Sequence, residues 1–529
     1  MSTSLLQKPP KRRCRRRDPF KIVSFDVEGS SSSAKNDQVI LPVKTVEQPL
    51  RPRQIKSRSG CEPCKRRHVK CDETQPICLR CQKSDITCTG IFKLDPWQIE
   101  RPWLDSTHER VQTLEALVLG AEPQEVVSPK GARLTKTLEN ELLRHWFDKA
   151  CTFIGIVPQS SHPLSYAISP YIQQSRALRH SIQCISQAHL GHFSEKELAC
   201  VLDERSRALA SLRLEIDKTF TGKDSGKLRQ RCLQTTVLSS LMLGITSGWV
   251  DKEMSGLQFL TGARNIVPLL LDTGQLQDPI SQYVLGLYLY WEGVSSHIEP
   301  GEPLITVDSQ YLHHQHRLGH LSFLQSIADN ILGSYIHPVT GLAAGVFPLM
   351  GAAGRYYRNI VEGCPEDPAY VEYLESELDK WIPIPVLDFS EDNQKLLHLA
   401  EAYRSVAVLL LCQARSASQM GGHNLIRDER AQNAVANVMH ILQMVSPGDP
   451  LLTSVGPFFL IAGSELREDE IEARDLVRQV ALEVTKYTRV TAFTSAFELV
   501  QDVWAQRKRG LHVTWLEVML QNGRCVSIA

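Results

Sequence analysis

Six cysteines lie within the short segment from Ser59 to Gly90, SGCEPCKRRHVKCDETQPICLRCQKSDITCTG. A C-x2-C turn brings two sulfurs to one side of a tight loop, and a third cysteine seven residues later can return to the same metal ion. The segment contains this C-x2-C-x6-C unit twice. The spacing therefore predicts a metal centre with the ligands Cys61, Cys64, Cys71, Cys78, Cys81 and Cys88.

The number of thiolates indicates how the metal is held. Structural zinc takes four ligands in a tetrahedron, so two ions need eight coordination positions. Six thiolates fill these positions if two of them bridge, which predicts one compact cluster of two zinc ions. A disulfide knot fits a reducing compartment poorly, and a ferredoxin-type cluster needs another spacing. Two separate four-ligand fingers would need two further ligands, which His68 alone cannot supply.

Positive charge surrounds the cysteines. Residues 1–90 carry 20 Lys and Arg against 9 Asp and Glu, a net charge of +11, whereas the remainder carries 39 against 50, a net charge of −11. Six thiolates and two zinc ions sum to −2, so the basic residues between the cysteines can balance the cluster and still leave a positive surface. A basic end joined to an acidic body predicts contact with a polyanion.

Residues 59–90 resemble the fungal zinc binuclear cluster family of transcription regulators. The resemblance rests on the six cysteines, the basic run KRRHVK, Asp72 after the third cysteine and Pro76 two residues before the fourth. It implies two bridging cysteines and two further ligands for each zinc ion. The bridging pair would be Cys61 and Cys78. One zinc ion would also bind Cys64 and Cys71, and the other would also bind Cys81 and Cys88.

The same resemblance implies a mode of DNA binding. The first helix, expected to follow Cys61–Cys64 and to run through Lys65–His68, would point its C-terminal end into the major groove over a G·C-rich triplet, where Lys and Arg can reach guanine O6 and N7. Arg67 and His68 would stand at the base-reading positions, and His68 departs from the lysine usual in the family. Contacts to phosphates would fix the register. The expected DNA-contacting residues are Lys65, Arg66, Arg67, His68 and Lys70.

The elements that follow have a helical pattern from about Leu134 onward. In KTLENELLRHWFDKA, apolar residues such as Leu142 and Trp146 recur at a spacing of three to four. A second stretch, SEKELACVLDERSRALASLRLEI, opens with Ser194 and Glu197 placed as a capping box. Strand-like alternation is scarce, so an all-α body is expected. The body also resembles the fungal-specific regulatory domain, on LENELLRHWFDKACTFIG, GLQFLTGARNIV and LAEAYRSVAVLLLCQAR.

The expected fold class is mainly α, in four parts. These are a disordered basic arm at 1–56, a zinc binuclear cluster DNA-binding domain at 57–91, a linker with a short helical segment at 92–135, and an all-α regulatory domain at 136–525. In the arm, KRRCRRR (Lys11–Arg17) is typical of a nuclear import signal or a phosphate-binding segment. In the linker, LDSTHERVQTLEALVLGAEP has under three heptads, so we expect any homodimer to require the helical body.

Other classes of protein find little support. No apolar run reaches the ~20 residues that a bilayer needs, and the N-terminus lacks a secretory apolar region. The signatures G-x-x-x-x-G-K-[ST], H-E-x-x-H, G-x-S-x-G and G-x-G-x-x-G are absent, so no enzyme is expected. We expect YLHHQHRLGH to be an exposed polar segment between helices, and SELREDEIEARDL to begin an amphipathic helix.

Together with the family resemblance, these patterns predict a nuclear, sequence-specific DNA-binding regulator of RNA polymerase II genes. The resemblance implies that its targets are genes of a metabolic or biosynthetic pathway. Its expected partners are two zinc ions, double-stranded DNA, and the transcription machinery or co-regulators. The alternative is an interaction protein whose zinc module does not read DNA and whose function resides in the helical body.

Overall fold

The structure is a computed structural model of the chain. It describes residues 62–67, 69, 71–72, 78–84, 86, 139, 141–191, 198–221, 226–250, 255–299, 310–333, 336–385, 390–417 and 428–526. The predicted arm, the linker with its heptads and the capping box at Ser194 lie outside the described residues. The chain divides into two compact units, 1–95 and 96–529.

The smaller unit contains two five-residue helices, α1 (Glu62–Arg66) and α2 (Leu79–Lys83). Each helix begins within a C-x2-C pair, and the same type of backbone hydrogen bond follows both helices. The amide of Val69 donates to the Cys64 carbonyl oxygen over 3.1 Å, and the amide of Ile86 donates to the Cys81 carbonyl oxygen over 3.0 Å. In each case the donor lies five residues after the acceptor, so the sequence repeat is also a structural repeat.

The described part of the larger unit is helical, and the one β interaction there is an isolated bridge between His337 and Gly341. The mainly α fold class is therefore confirmed. The first helix, α3, occupies 141–148. Those that follow are α4 (Pro163–Tyr166), α5 (Ser169–Gln174), α6 (Arg176–Leu190), α7 (Leu198–Thr221), α8 (Gly226–Ile245), α9 (Ser247–Val250), α10 (Leu257–Leu271), α11 (Pro279–Val294), α12 (Gln310–Ile331), α13 (Val346–Val361), α14 (Pro368–Lys380), α15 (Glu391–Ala417), α16 (Glu429–Met444), α17 (Ile471–Thr488), α18 (Ala492–Lys508) and α19 (Trp515–Gln521).

Helix α11 lies at the centre of the core. It is buried on nearly all sides, as expected of a helix that is apolar around its whole circumference. Asp278 caps its N-terminus by accepting from the amides of Ile280 and Ser281, 3.1 Å each. Helix α13 packs against α11 and α15, and α16 packs against α15. This arrangement holds one face of α11 against α10, α12 and α13.

Helix α15 has the composition of a membrane span. Among the described residues it is the one helix long and apolar enough by that test, but 72% of its most apolar window is buried inside the protein. Ala400, Tyr403 and Ala407 are completely buried, and the helix packs against neighbours on several sides. Helix α15 is apolar because it packs within the core of the helical body.

Two local expectations are confirmed and one is wrong. In α3, Leu142 and Trp146 are buried, as their spacing predicts. The acidic stretch does lead into the amphipathic helix α17. The segment YLHHQHRLGH, however, is not a connection between helices, because it forms the first half of α12. The second half of that helix carries the buried residues Leu321 and Leu324, which extend the helix beyond its polar start.

Candidate metal centre and nucleic-acid interface

Helix α1 presents one face to the sulfurs and another to solvent. Cys64 lies at its middle and is completely buried, whereas Arg66 and Arg67 are exposed. The helix ends with a hydrogen bond from the Arg67 amide to the carbonyl oxygen of Pro63, 3.3 Å. The buried sulfur of Cys64 and the exposed basic side chains of Arg66 and Arg67 therefore lie within one helical turn of each other. Of the other predicted DNA contacts, the Lys65 side chain, His68 and Lys70 lie outside the described residues.

Helix α2 is anchored from both sides of its N-terminus. The Cys78 sulfur accepts a hydrogen bond from the Cys81 amide, 3.3 Å. The Asp72 carboxylate accepts from the amides of Leu79 and Arg80, 2.9 Å each. The first amides of a helix have no partner within the helix, so these bonds satisfy them. Asp72 follows Cys71 directly and ties the third cysteine to the helix that carries the fifth.

The four described cysteines of the segment meet in one buried cluster. Cys64 Sγ lies 3.8 Å from Cys78 Sγ and 3.9 Å from Cys81 Sγ. The sulfurs of Cys64, Cys71 and Cys78 lie within 4.8 Å of one another. A zinc ion with four sulfurs at about 2.3 Å has sulfur–sulfur edges of about 3.8 Å. The sulfur donors and the separation of Cys64 from Cys78 therefore fit a shared zinc ion, whereas Cys64 and Cys81 would be ligands of the two different ions. Cys61 and Cys88 lie outside the described residues.

Nothing apolar besides the sulfurs is buried in the described part of this unit. All four cysteines are at most 5% exposed and form no disulfide. Val69, Leu79 and Ile86, in contrast, are 37%, 49% and 37% exposed. With no apolar core among its described residues, this unit is expected to gain its folding free energy from bound metal.

Arg67 has a contact that the sequence did not predict. Its Nη2 lies 3.7 Å from Cys81 Sγ and 3.9 Å from Cys64 Sγ, and its Nε donates to the carbonyl oxygen of Pro63 over 3.2 Å. The guanidinium can thus compensate thiolate charge from both halves of the cluster. Lys83 and Arg80 add exposed positive charge on α2. The capping role of Asp72 was also missed, because its partners are seven and eight residues away.

Clustered thiols framed by two short basic helices, in one chain with a large helical body, define a zinc-cluster regulator. The chain belongs to the fungal Zn(2)-C6 family of transcription regulators. The sequence model of the fungal Zn(2)-Cys(6) binuclear cluster domain matches residues 59–98, and that of the fungal specific transcription factor domain matches residues 141–529. The cluster domain binds two zinc ions through six cysteines, and regulators of this family bind DNA.

Short parts of the chain are similar to curated regulators. One is Transcriptional regulatory protein moc3 of Schizosaccharomyces pombe, 37% identical over 60 residues, which are 11% of this chain and 12% of that protein. Sterol uptake control protein 2 of Candida albicans is 54% identical over 33 residues, 6% and 5% of the two chains. The Aspercryptin biosynthesis cluster-specific transcription regulator atnN of Emericella nidulans is 41% identical over 65 residues, 12% and 10%. The matches thus span 5% to 12% of these relatives. No solved structure matches the chain.

Proposed function

We propose that the protein is a nuclear, sequence-specific DNA-binding regulator of RNA polymerase II transcription. The observation that carries the proposal is the buried sulfur cluster, in which Cys64 and Cys78 are spaced as ligands of one tetrahedral zinc ion, with exposed basic residues on the outer side of α1. The rest of the family's architecture is present in the same chain. The zinc module would select DNA sites, and the helical body would receive signals or contact the transcription machinery and co-regulators.

In this proposal the six cysteines hold both zinc ions, with two thiolates shared. The bridging pair would be Cys61 and Cys78, one ion would also bind Cys64 and Cys71, and the other would also bind Cys81 and Cys88. Asp72 would keep α2 in position against the first half of the module by its two hydrogen bonds.

The proposed interface with DNA is the outer side of α1 and the residues after it. Arg66 and Arg67 are exposed there, and positively charged side chains both attract phosphate and pair with guanine. While Nη2 of Arg67 faces the sulfurs, its Nη1 has no hydrogen-bond partner among the described residues and is available to a base. The proposed contacts, on a G·C-rich triplet, are Lys65, Arg66, Arg67, His68 and Lys70.

Zinc content and site selection test this function together. Full-length protein should carry two zinc ions by native mass spectrometry and enrich one motif from random DNA. Cys78→Ala should retain neither zinc ion, because a bridging ligand serves both ions, and it should no longer enrich the motif. Cys200→Ala is the matched control, since this cysteine is exposed on α7 in the helical unit. A protein that holds two zinc ions but selects no motif would support the interaction-protein alternative instead.

The nuclear location and the pathway are further parts of the proposal. The basic runs Lys11–Arg17 and Lys65–Arg67 would act as partly redundant import signals, so a fluorescent fusion with both neutralised should leave the nucleus. The names of two similar regulators refer to sterol uptake and to aspercryptin biosynthesis. These names favour metabolic or biosynthetic target genes, which genome-wide occupancy with expression after deletion would identify. A homodimer, if formed, would use the helical body.

A further inference from the structure

Two exposed histidines meet on the surface of the helical body. His398 lies on α15 and His440 lies on α16, and these two helices pack against each other. The ring centroids are 4.8 Å apart, and the ring planes are nearly perpendicular, at 80°. Neither histidine belongs to the zinc module. The two residues are far apart along the chain, so no sequence motif indicates that they meet.

The separation of the two rings fits two ligands of one metal ion. Bonds from imidazole nitrogen to zinc are about 2.0–2.1 Å long, which places the centre of a bound ring about 3.2 Å from the ion. Two rings at an angle of about 90–110° around the ion then have centroids about 4.5–5.2 Å apart. The observed 4.8 Å lies within this interval. Rotation of the exposed side chains is therefore enough to direct both rings to one ion, and the helices need not move.

The two helices are held in a fixed register beside the histidines. Asn437 Nδ2 on α16 donates to Ser405 Oγ over 3.2 Å and to Glu401 Oε1 over 3.4 Å, both on α15. Asn437 lies one turn before His440, and Glu401 lies one turn after His398. Side chains on packed helices are positioned more precisely than side chains on loops. The register thus keeps the two imidazoles opposite each other.

The charged groups near the histidines do not oppose a cation. Lys395, one turn before the first histidine, lies 3.7 Å from Glu391 Oε1 and 3.8 Å from Asp449 Oδ2. Arg404 donates to both oxygens of Glu401, over 2.9 Å from Nε and 2.6 Å from Nη2. Two cationic side chains are therefore matched by three carboxylates. A divalent ion between the helices meets no excess of positive charge from these groups.

We propose that His398 and His440 together bind one divalent transition-metal ion between α15 and α16. Imidazole is a suitable ligand for zinc, copper and nickel. Water completes the coordination, because no third ligand joins this pair in a compact group among the described residues. The ion cross-links two helices of the body. It stabilises the folded state, because the unfolded chain does not hold the two rings together.

Nickel binding to the zinc-loaded, untagged full-length protein tests the proposal. After equilibrium dialysis against a series of Ni²⁺ concentrations, elemental mass spectrometry counts nickel and zinc separately, and two retained zinc ions show that the cysteine cluster is intact. The unaltered protein should bind a nickel ion saturably, with a dissociation constant below about 0.1 mM. At about a hundred-fold excess over this constant, nickel should raise the thermal transition of the body by about 3 °C.

Substitutions assign the ion to the pair. His398→Ala and His440→Ala should each weaken nickel binding at least about ten-fold, since loss of even an outer-shell partner of a metal site costs that much. The double variant should lack the same single ion and no further one, because both side chains bind one ion. The matched control is His512→Gln, an exposed histidine between α18 and α19, which should bind nickel like the unaltered protein.

Three outcomes overturn the proposal. These are the absence of saturable nickel binding, unchanged binding in either alanine variant, and loss of a second nickel ion in the double variant, which would show two separate sites. Any other nickel site contributes equally to all variants, so the differences between variants isolate this pair. Both histidines are exposed, so their substitution leaves the core intact. No DNA is present, so the result is independent of the proposed function.

Discussion

At the scale of single residues, cysteine has two roles in the small unit. The described sulfurs are both the predicted metal ligands and the whole of the buried apolar cluster in that part of the unit. A substitution there removes a ligand and a core residue together, and its effects cannot be separated. Asp72 and Arg67 are more informative, because neither is a predicted zinc ligand. Asp72 caps the helix that carries Cys81, and Arg67 contacts two of the sulfurs.

Asp72→Ala should weaken zinc retention. The substitution leaves the amides of Leu79 and Arg80 without their acceptor, and loss of such a cap costs about 1–2 kcal/mol. Competition with a chromogenic chelator on the full chain should therefore release zinc about five- to thirty-fold more readily. Asp72→Asn keeps one of the two acceptor oxygens and should therefore lie between Asp72→Ala and the unaltered protein. Equal zinc retention by Asp72→Ala and the unaltered protein would contradict the role assigned to this carboxylate.

Arg66 and Arg67 should differ although they are adjacent. Arg66→Ala should weaken binding to all DNA sequences alike and reduce the salt slope by about one, with zinc unaffected. Arg67→Ala should lower discrimination among sites by about 1–3 kcal/mol and also speed zinc loss, because its Nη2 faces two sulfurs. DNA-binding titrations at several salt concentrations, with zinc release measured in parallel, distinguish the role of Arg66 from that of Arg67. Identical behaviour of the variants would refute the distinction.

At the scale of elements, two buried histidines hold turns of the helical body. In His162, Nε2 donates to the Ile154 carbonyl oxygen over 3.1 Å and Nδ1 accepts from the Leu164 amide over 3.2 Å. In His337, Nε2 donates to the carbonyl oxygen of Tyr283 and Nδ1 accepts from the Val339 amide, 3.1 Å and 3.0 Å. A proton on Nδ1 would face a backbone N–H, so both turns require neutral rings.

The body should therefore lose stability in mild acid. Burial lowers the pKa of His162 to about 4 and that of His337 to about 3. The unfolded chain, with histidine near 6.5, takes up these protons first, so the stabilisation is complete above pH ~6.5 and is lost as pH falls through the folded values. Each unit of lowering is worth about 1.4 kcal/mol. The denaturant concentration at the unfolding midpoint should decrease as the pH is lowered from 6.5 to 4. The decrease should be smaller in His162→Asn than in His512→Gln, an exposed control.

Two helix glycines should respond oppositely to alanine. A Cβ at Gly286 on α11 would lie 2.3 Å from Nε2 of His337, whereas a Cβ at Gly262 on α10 meets no atom within 4 Å. Gly286→Ala should cost about 1–3 kcal/mol through overpacking. Gly262→Ala should stabilise by about 0.5–1 kcal/mol, the difference in helix propensity. Urea unfolding measures both, and a neutral Gly286→Ala would show that His337 is not tightly held.

The sequence predicts those elements whose signal is local. Periodicity identified α3 because Leu142 and Trp146 both enter the core, and cysteine spacing identified the metal centre because four coordination is a strict rule. The start of α12 was misread because its sequence is mostly polar, and among its described side chains full burial begins at Leu321. Contacts between distant residues, such as Arg264 with Glu292, leave no local pattern, so this buried ion pair could not be predicted.

At the scale of the whole molecule, the two units are stabilised by different means. The described part of the small unit buries four cysteines and little else, while the helical body has a continuous apolar core that includes Trp146, Trp291 and Trp515. The charges divide along similar lines, with +11 in residues 1–90 and −11 in the remainder. Loss of metal should accordingly affect one unit and spare the other.

Chelation of zinc should abolish DNA binding while the helical body stays folded. The described part of the small unit has no apolar core to replace the ion, and structural zinc sites supply about 10–16 kcal/mol of apparent binding free energy at pH 7. The body contains no cysteine cluster with metal-ligand geometry among its described residues. After treatment with a strong chelator, the helical circular dichroism signal and the main thermal transition should change little, whereas binding to the selected DNA site should disappear and return when zinc is restored. A large shift of the main transition would instead show that the body depends on the metal centre.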